Sequence, residues 1–403
     1  MYRKRWLENK LVKLVKTRPV VYIGGARQTG KTSILKHTFP KIRYVSFDNP
    51  TERIRALEDP KGFLEAISTP VILDEIQYVP ELMIYIKMNV DNRRKPGMYM
   101  LTGSQQYTLL KGLSESLAGR VGILNLRPFS AREWMQYSKI SIDKLNDTAC
   151  KKNKGASMKV IYKSILSGGY PEILGNSSVD LNNWFASYIS TYLERDLRVY
   201  LRVGNLRDFE RFMRVLAIRA GQLLSYSDLA RDVGIAVSTA KEWVSSLVAG
   251  YQVLLLEPYY NNLGKRIIKA PKLFFGDTGL LCFLLGIRSV DELTRSTYLG
   301  NVFENWILLE LMKSDETEIN NGNFWYWRTV NNTEVDLIYD NKGRLTPMEI
   351  KLSQTFNLKW ISGLKSFINN YKKSANNGIV VNSGEYGRFN SDVCFYNIRN
   401  WLK

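Results

Sequence analysis

The sequence feature that most constrains the fold is a glycine loop near the start of the chain. Residues 25–32 read GARQTGKT, which matches the pattern G-x-x-x-x-G-K-[ST], and an apolar run at residues 19–23 precedes them. A strand that enters such a loop and leaves it as a helix directs backbone N–H groups and the positive end of the helix at one point, where the phosphates of a nucleotide can bind. The loop therefore predicts a nucleotide-binding α/β domain.

Individual positions of the loop have assignable roles. Gly25 and Gly30 let the backbone turn and approach the phosphates. Lys31 can reach the β- and γ-phosphates, and the Thr32 hydroxyl can ligate Mg²⁺. The predicted phosphate-binding set consists of Gly25, Ala26, Arg27, Gln28, Thr29, Gly30, Lys31, Thr32 and Ser33.

A second motif follows about forty residues later, where the apolar residues 71–73 end in Asp74 and Glu75. A buried parallel strand that finishes in two acids brings them to the carboxyl end of the sheet, where α/β folds bind ligands. We predict that Asp74 holds Mg²⁺ and that Glu75 polarises the attacking water. Acids also end ordinary strands, but together with the glycine loop they favour a nucleoside triphosphatase.

Two further candidates have ordinary structural alternatives. The strand at residues 98–101 leads to Thr102 and Ser104, whose hydroxyls can orient the hydrolytic water, although Ser, Thr and Gly are also common turn residues. Arg120, which follows a glycine, can neutralise charge in the transition state within its own subunit or from a neighbouring one. A surface or salt-bridging arginine is the alternative for Arg120.

These motifs resemble those of the AAA-type ATPase family of bacteria and archaea whose members end in a conserved domain of unknown function. The stretches that carry the resemblance are residues 25–32, 71–77, 101–105, 116–120, 127–133, 168–172, 188–196 and 275–279. No motif in the sequence separates adenine from guanine. That the nucleotide is ATP is what the resemblance implies.

Residues 225–244 have the spacing of a helix-turn-helix, with a short helix, a turn at Gly234 and a second helix capped by Ser238. The second helix can enter a major groove with Ser238, Thr239 and Lys241 facing outward. Residues 251–258 and 259–268 are expected to form the hairpin of a winged helix, with basic residues near its tip. Such modules also bind other proteins or neighbouring subunits.

The C-terminal part contains a possible second site. Glu349 and Lys351 share a face of one strand, because side chains alternate along strands. Pairing with the preceding strand would add Asp336 to that face, and Glu304 can reach it from a helix. This part resembles restriction-endonuclease-like nucleases, which implies Mg²⁺ binding by the acids and phosphate stabilisation by Lys351. Solvated charges, or a nuclease fold that only binds, are the alternatives.

The composition of the chain limits the kinds of partner and site that we expect. The chain has 57 Lys and Arg against 38 Asp and Glu, a formal net charge of +19, which favours a polyanion such as double-stranded DNA, although solubility alone is an alternative. Three scattered cysteines do not suggest a disulfide framework or a cysteine-based metal site, and a single histidine excludes a histidine-dependent triad or zinc site. Without a secretory signal or an 18-residue apolar run, we expect a cytoplasmic protein that does not enter membranes.

We therefore predict an α/β chain in four parts. They are a P-loop ATPase core at residues 1–139, a helical lid or linker at 140–204, a winged helix-turn-helix module at 205–269 and a nuclease-like domain at 270–403. The favoured function is a Mg²⁺-dependent ATPase that couples nucleotide state to DNA binding. One alternative is a nucleotide-controlled switch that acts on a protein partner without nucleic acid, and another is an ATP-gated nuclease. A role of Arg120 between subunits would require a homo-oligomer.

Overall fold

A computed structural model describes residues 2–103, 117–145, 155–192, 206–260, 270–315, 323–355, 357–384 and 386–403 of the 403-residue chain. These residues fall into two compact units. The first consists of Met1–Pro128 with Ala249–Gln252, and the second consists of Phe129–Val248 with Val253–Lys403. The division into four parts stays a prediction. No helix in the described ranges is both long and apolar enough to cross a membrane.

The first unit is built on a parallel sheet of five strands in the order β2-β3-β4-β1-β5. Its strands are β1 Val20–Gly24, β2 Arg43–Ser46, β3 Val71–Asp74, β4 Tyr99–Gly103 and β5 Val121–Asn125. Its helices are α1 Glu8–Val15, α2 Lys31–Thr38, α3 Pro50–Glu58, α4 Pro60–Glu65 and α5 Leu82–Arg93. The predicted α/β fold with a parallel sheet is confirmed for this unit.

The register of this sheet places the ends of its central strands side by side. Every residue of β1, β3 and β4 is buried, as expected for parallel strands covered on both faces. Gly24 at the end of β1 lies opposite Gly103 of β4 and Asn125 of β5. Leu73 of β3 pairs with Leu101 of β4. The glycine loop, the acids after β3 and Thr102 therefore meet at one edge of the sheet.

The second unit begins with helices and continues into two antiparallel strands. Its helices are α6 Ala131–Trp134, α7 Met158–Ser167, α8 Pro171–Gly175, α9 Leu181–Tyr192, α10 Leu206–Ile218, α11 Tyr226–Val233, α12 Val237–Ala249, α13 Thr278–Leu284, α14 Val290–Arg295, α15 Leu299–Ser314 and α16 Trp360–Asn370. Its strands are β6 Val253–Leu256, β7 Lys272–Phe275, β8 Phe324–Arg328, β9 Glu334–Asn341, β10 Arg344–Ile350, β11 Gly378–Asn382, β12 Gly387–Arg388 and β13 Val393–Asn397.

The predicted helix-turn-helix corresponds to α11 and α12, with two differences. Ser225 caps α11, and Gly234 ends it in the left-handed conformation. However, α12 already begins at Val237, so Ser238 lies in its first turn and does not cap it. The partner of β6 is β7, with Leu256 opposite Lys272, which the sequence analysis did not expect. The expected second hairpin strand at residues 259–268 falls mostly outside the described residues and stays a prediction. Residues 261–269, which include the predicted basic tip, lie outside the described residues.

The last part of the second unit is a six-stranded mixed sheet in the order β12-β13-β11-β10-β9-β8. Strands β8, β9 and β10 form an antiparallel meander, and β10 is parallel to β11. Met348 pairs with Leu337, and the same register brings Glu349 opposite Asp336. The predicted hairpin that joins these two acids on one face is confirmed.

Two of the sequence motifs meet in a structural contact of the second unit. Asp277 is buried and accepts hydrogen bonds from the backbone N–H groups of Gly169 (2.7 Å) and Leu280 (3.0 Å). It therefore caps α13 and holds the loop before α8 at the same time. Gly168 has φ +66°, and a Cβ there would overlap the Asp277 carboxylate. The residue types of both motifs are thus explained by packing.

Replacement of Asp277 by alanine should destabilise the second unit. Each buried N–H left without an acceptor costs about 1–3 kcal/mol, so the loss of the acceptor for Gly169 and Leu280 in Asp277→Ala should lower the free energy of unfolding by about 2–6 kcal/mol. Urea unfolding followed by tryptophan fluorescence measures this, because eight of the nine tryptophans lie in residues 129–403. Glu242→Ala, which removes an exposed carboxylate from α12, is the control. Equal unfolding midpoints for the two variants would contradict this assignment.

Candidate functional site

The glycine loop connects β1 to α2 in the geometry that a phosphate site requires. Gly25 has φ +152°, and a Cβ there would overlap the carbonyl oxygen of Leu126. Gly30 precedes α2 in the left-handed conformation with φ +93°. Within α2, the first hydrogen bond is donated by Ile34 to Gly30, so the N–H groups of Lys31, Thr32 and Ser33 point out of the helix end. This arrangement suits an anion.

The Lys31 side chain lies over the loop. It is 6% exposed, and its ammonium group donates hydrogen bonds to the carbonyl oxygens of Gly25 (3.0 Å) and Ala26 (2.9 Å). The loop therefore holds a positive charge close to its own backbone N–H groups. That combination provides both the charge and the hydrogen-bond donors that a phosphate chain needs.

Asp74 is the centre of a hydrogen-bond cluster at the carboxyl edge of the sheet. It is 4% exposed and accepts from Thr32 Oγ1 at 2.9 Å, from Tyr44 Oη at 2.6 Å and from Thr102 Oγ1. Burial and this bond raise the pKa of Tyr44, so its hydroxyl stays a donor. Thr32 and Asp74 carry the oxygen ligands that Mg²⁺ prefers, so the predicted metal-binding residues fit a magnesium ion.

Glu75 follows directly and has an unusual backbone. It has φ +56° and ψ +47°, a left-handed conformation that is uncommon for residues other than glycine. Its N–H donates to Thr102 Oγ1 at 3.2 Å, and its carboxylate accepts from Gln77 Nε2. This turn leaves the Glu75 carboxylate half-buried just beyond Asp74, the last residue of β3. Strained backbone of this kind is concentrated at functional sites.

Arg5 is a residue of this site that the sequence analysis did not identify. It is 5% exposed, and its guanidinium donates to the carbonyl oxygens of Thr29 (3.0 Å) and Arg127 (2.7 Å). Thr29 in turn donates to Ala26 within the loop at 2.9 Å. Arg5 therefore fixes the outer part of the glycine loop to the chain after β5.

Tyr251 is a second such residue. It has φ +61°, and its hydroxyl donates to Asn125 Oδ1 at 3.1 Å. A Cβ on Gly24 would overlap this hydroxyl, so a larger residue at the end of β1 would displace the Tyr251 side chain. Tyr251 belongs to the first unit although it is distant in sequence, and short-range patterns contain no signal for this contact.

Arg120 lies at the opposite end of the sheet from the glycine loop. Its carbonyl accepts from Val20 N–H at 3.3 Å, at the start of β1, whereas the loop follows the end of that strand. Its guanidinium pairs with Asp91, with Nε 2.5 Å from Oδ1 and Nη2 3.0 Å from Oδ2. A role on the nucleotide of its own subunit is therefore wrong, and a role between subunits stays a prediction.

Ser104 lies outside the described residues.

The C-terminal acids and lysine converge as predicted. Lys351 Nζ lies 2.8 Å from Glu349 Oε1 and 3.2 Å from Asp336 Oδ2. Asp336 also accepts from the N–H of Ile350 at 2.8 Å. Glu349 is 9% exposed, and its Oε2 has no hydrogen-bond partner among the described residues. Burial and the Asp336 carboxylate raise the pKa of Glu349 to about 8.

The contacts of Glu304 differ from the metal-binding role that the sequence analysis predicted for it. Its Oε1 lies 3.4 Å from Nζ of Lys272, a buried lysine that also pairs with Glu334 at 2.5 Å and that the sequence analysis missed. Burial raises the pKa of Glu304 to about 7 despite the charge of Lys272. Within the described ranges, no three acidic, histidine or cysteine side chains are arranged to hold a metal ion. A metal site of Glu304, Asp336 and Glu349 is not formed in this arrangement and stays a prediction.

Loss of the Arg5 side chain should weaken binding at the glycine loop without unfolding the unit. Hydrogen bonds from a charged donor contribute about 1.5–3 kcal/mol, so Arg5→Met should weaken nucleotide affinity by on the order of 10-fold or more. Titration calorimetry with ATP and Mg²⁺ measures this affinity. Lys13→Met, at an exposed position of α1, should bind like the parent protein. Equal affinity of the two variants would exclude the assigned role of Arg5.

Comparisons with known proteins identify related domains and relatives of this chain. Residues 17–135 match an AAA domain, residues 158–291 match a domain of unknown function (DUF8612) and residues 299–400 match another (DUF4143). The structure of a Walker-type ATPase of Pyrococcus abyssi is similar with a TM-score of 0.45 and 12% identity, over 70% of this chain and 98% of that chain.

Two relatives are much more similar in sequence. They are uncharacterized proteins of Mycobacterium tuberculosis and Mycobacterium bovis, each 32% identical over 343 residues, which is 84% of this chain and 71% of the relative. The chain therefore belongs to the same family as these mycobacterial proteins and carries an AAA-type ATPase domain followed by two domains of unknown function.

Proposed function

We propose that this protein is a Mg²⁺-dependent ATPase whose nucleotide state controls binding to DNA. The observation that supports ATP hydrolysis best is the cluster around Asp74, where Thr32 of α2 and Thr102 of β4 both donate to one buried carboxylate beside Lys31. Phosphoryl transfer depends mainly on positioning and charge stabilisation, and this edge of the sheet offers both.

Each residue has a distinct part in the proposed reaction. The N–H groups at the start of α2 and the Lys31 ammonium bind and orient the phosphates. Thr32 and Asp74 would hold Mg²⁺, which supplies positive charge against the phosphate oxygens when bound. Glu75 accepts a hydrogen bond from the attacking water and takes its proton. Thr102 keeps Glu75 and Asp74 in register through its hydroxyl.

Two substitutions should separate binding from hydrolysis. Lys31→Ala should remove nucleotide binding and turnover together, because it deletes the charge over the loop. Glu75→Gln should keep binding and lower kcat by on the order of 10²–10⁴-fold, because the amide cannot take a proton. Phosphate release and calorimetric titration measure the two properties. Preserved turnover in Lys31→Ala, or parental kcat in Glu75→Gln, would contradict the assignment.

The coupling to DNA is supported by the overall charge and by the exposed surface of α12, on which Ser238 and Lys241 are exposed. One observation favours the protein-partner alternative for this module. Residues 206–250 contain six basic and five acidic residues, so the helix-turn-helix is nearly neutral. In addition, Asp232 pairs with Arg219 and Asp228 pairs with Arg231. A nearly neutral helix pair is better suited to another protein than to the phosphate backbone of DNA.

A metal-dependent nuclease is a second candidate for the C-terminal part. The observation that favours it is the unpartnered Glu349 Oε2 next to Asp336 and Lys351. A buried carboxylate oxygen without a donor is costly and is typical of a site that receives a cation. Asp336 and Glu349 would hold that cation, and Lys351 would stabilise charge on the phosphate.

Cleavage assays decide between a nuclease and a binding domain. If the C-terminal part cleaves DNA, Glu349→Ala and Lys351→Ala should each remove Mg²⁺- or Mn²⁺-dependent nicking of supercoiled plasmid. Lys365→Ala, at an exposed position of α16, should cleave like the parent protein. Equal cleavage by all four proteins, or none by the parent, would remove the nuclease hypothesis. ATP turnover of each variant shows that the chain is folded.

A further inference from the structure

The positive charge of this chain is concentrated in the unit that contains the glycine loop. Residues 1–128 have 22 basic and 11 acidic residues, which is +11 of the total of +19 in about a third of the chain. The nearly neutral helix-turn-helix therefore does not account for the basic character. The first unit therefore has the charge that a nucleic-acid surface requires.

Six basic residues of this unit lie at the edge of the sheet where the parallel strands begin. We call this surface the basic edge, and it consists of Lys16, Arg18, Arg93, Arg94, Lys95 and Arg120. Five of the six are exposed, and Arg120 is half-buried. The edge is opposite the carboxyl edge that carries the glycine loop, since all five strands are parallel.

Backbone contacts bring these segments together. The N–H of Gly97, two residues after Lys95, donates to the carbonyl of Arg18 at 2.8 Å. The Arg18 guanidinium donates to the carbonyl of Gly119 at 3.1 Å, next to Arg120. A Cβ on Gly97 would crowd Val15 at the end of α1, so the turn after Lys95 packs directly on that helix. The basic edge is therefore a continuous surface held by the fold.

The charges of the basic edge are mostly unneutralised. Among the described residues, Asp91 is the one carboxylate that pairs with a member of it, and its partner is Arg120. The charges of Arg120, Lys87 and Arg94 all lower the pKa of Asp91, which shows that several cations act on this single acid. Five cations remain for a partner, and an anion of high charge density would complement them.

The residue types favour the phosphate backbone of a duplex over other anions. Four of the six are arginines, whose planar guanidinium groups match phosphate oxygens in a bidentate way. Residues 16–20, 93–97 and 117–121 contain no aromatic side chain on which unpaired bases could stack. The exposed large apolar side chains of the described first unit are Ile54, Leu57, Ile84 and Met88, none of which lies in these three segments, so the segments lack the apolar residues that insert into membranes.

We propose that the basic edge binds the phosphate backbone of double-stranded nucleic acid without reading its sequence. The proposal deepens the proposed function by naming the surface that meets DNA, and it does not require ATP hydrolysis. Since the nucleotide loop is at the other edge of the sheet, the two ligands do not compete for the same residues. The basic edge lies before the adjacent strands β4, β1 and β5. Neighbouring strands are about 4.8 Å apart, so these three strand starts span roughly 10 Å, the length of about three base pairs.

Salt dependence of binding by the full chain tests this proposal. Each phosphate that a cation neutralises contributes about 0.9 to the slope of log K against log salt concentration. The triple variant Lys16→Gln/Arg93→Gln/Lys95→Gln should therefore lower the slope by about 2–3 for two 20-base-pair duplexes of unrelated sequence. None of these three side chains makes a hydrogen bond or an ion pair in the described structure. Fluorescence anisotropy without nucleotide is the measurement.

The matched control removes the same charge from another surface. Lys365→Gln/Lys372→Gln/Lys373→Gln changes three exposed lysines of the second unit and should keep the parental slope. Equal slopes in the two triple variants would overturn the proposal, and so would preferential binding of single strands or phosphatidylserine vesicles over duplex by the parent protein. Phosphate release is measured separately, so a loss of ATPase activity alone leaves the duplex result intact.

Discussion

The first unit depends on one buried carboxylate. Asp74 ends β3, and it accepts hydrogen bonds from α2 through Thr32, from β2 through Tyr44 and from β4 through Thr102. A charge that is 4% exposed is stable only if it is well hydrogen-bonded, so the donors and the acid require one another. These bonds connect the ends of three strands and the start of α2 at one point. The same requirement places a metal-binding oxygen pair beside Lys31.

Local patterns predicted the parts of the site that lie close together in sequence. The glycine loop, the buried strand before Asp74 and the pairing of Asp336 with Glu349 all follow from steric rules that act over a few residues, and all three are confirmed. Arg120 was expected to act on the nucleotide, but it directly precedes β5. Because β5 is parallel to β1, Arg120 lies at the amino edge of the sheet, whereas the glycine loop follows β1 at the carboxyl edge.

Other parts could not be predicted because they depend on distant contacts. Arg5 is in a basic segment that suggests a solvated surface, yet it is buried between Thr29 and Arg127. Lys272 reads as the start of an apolar strand and instead pairs with Glu304 and Glu334. β6 pairs with β7 across a fifteen-residue connection, and no turn pattern in the sequence indicates this pairing. In each case the partner lies too far along the chain for spacing to indicate it.

The two edges of the ATPase sheet differ in the charge that the helices favour. At the carboxyl edge α2 presents its positive end to phosphate, whereas at the other edge Arg93 is the last residue of α5 and Arg94 caps its negative end. A helix end stabilises a cation by about 0.3–1 kcal/mol, and only within the last turn. Arg18 and Lys95 lie beyond the last turn of a helix. For any two like charges about 8 Å apart in water, the repulsion is roughly 0.5 kcal/mol. The helix dipole therefore offsets only part of this repulsion, and a polyanion on the basic edge would remove the rest.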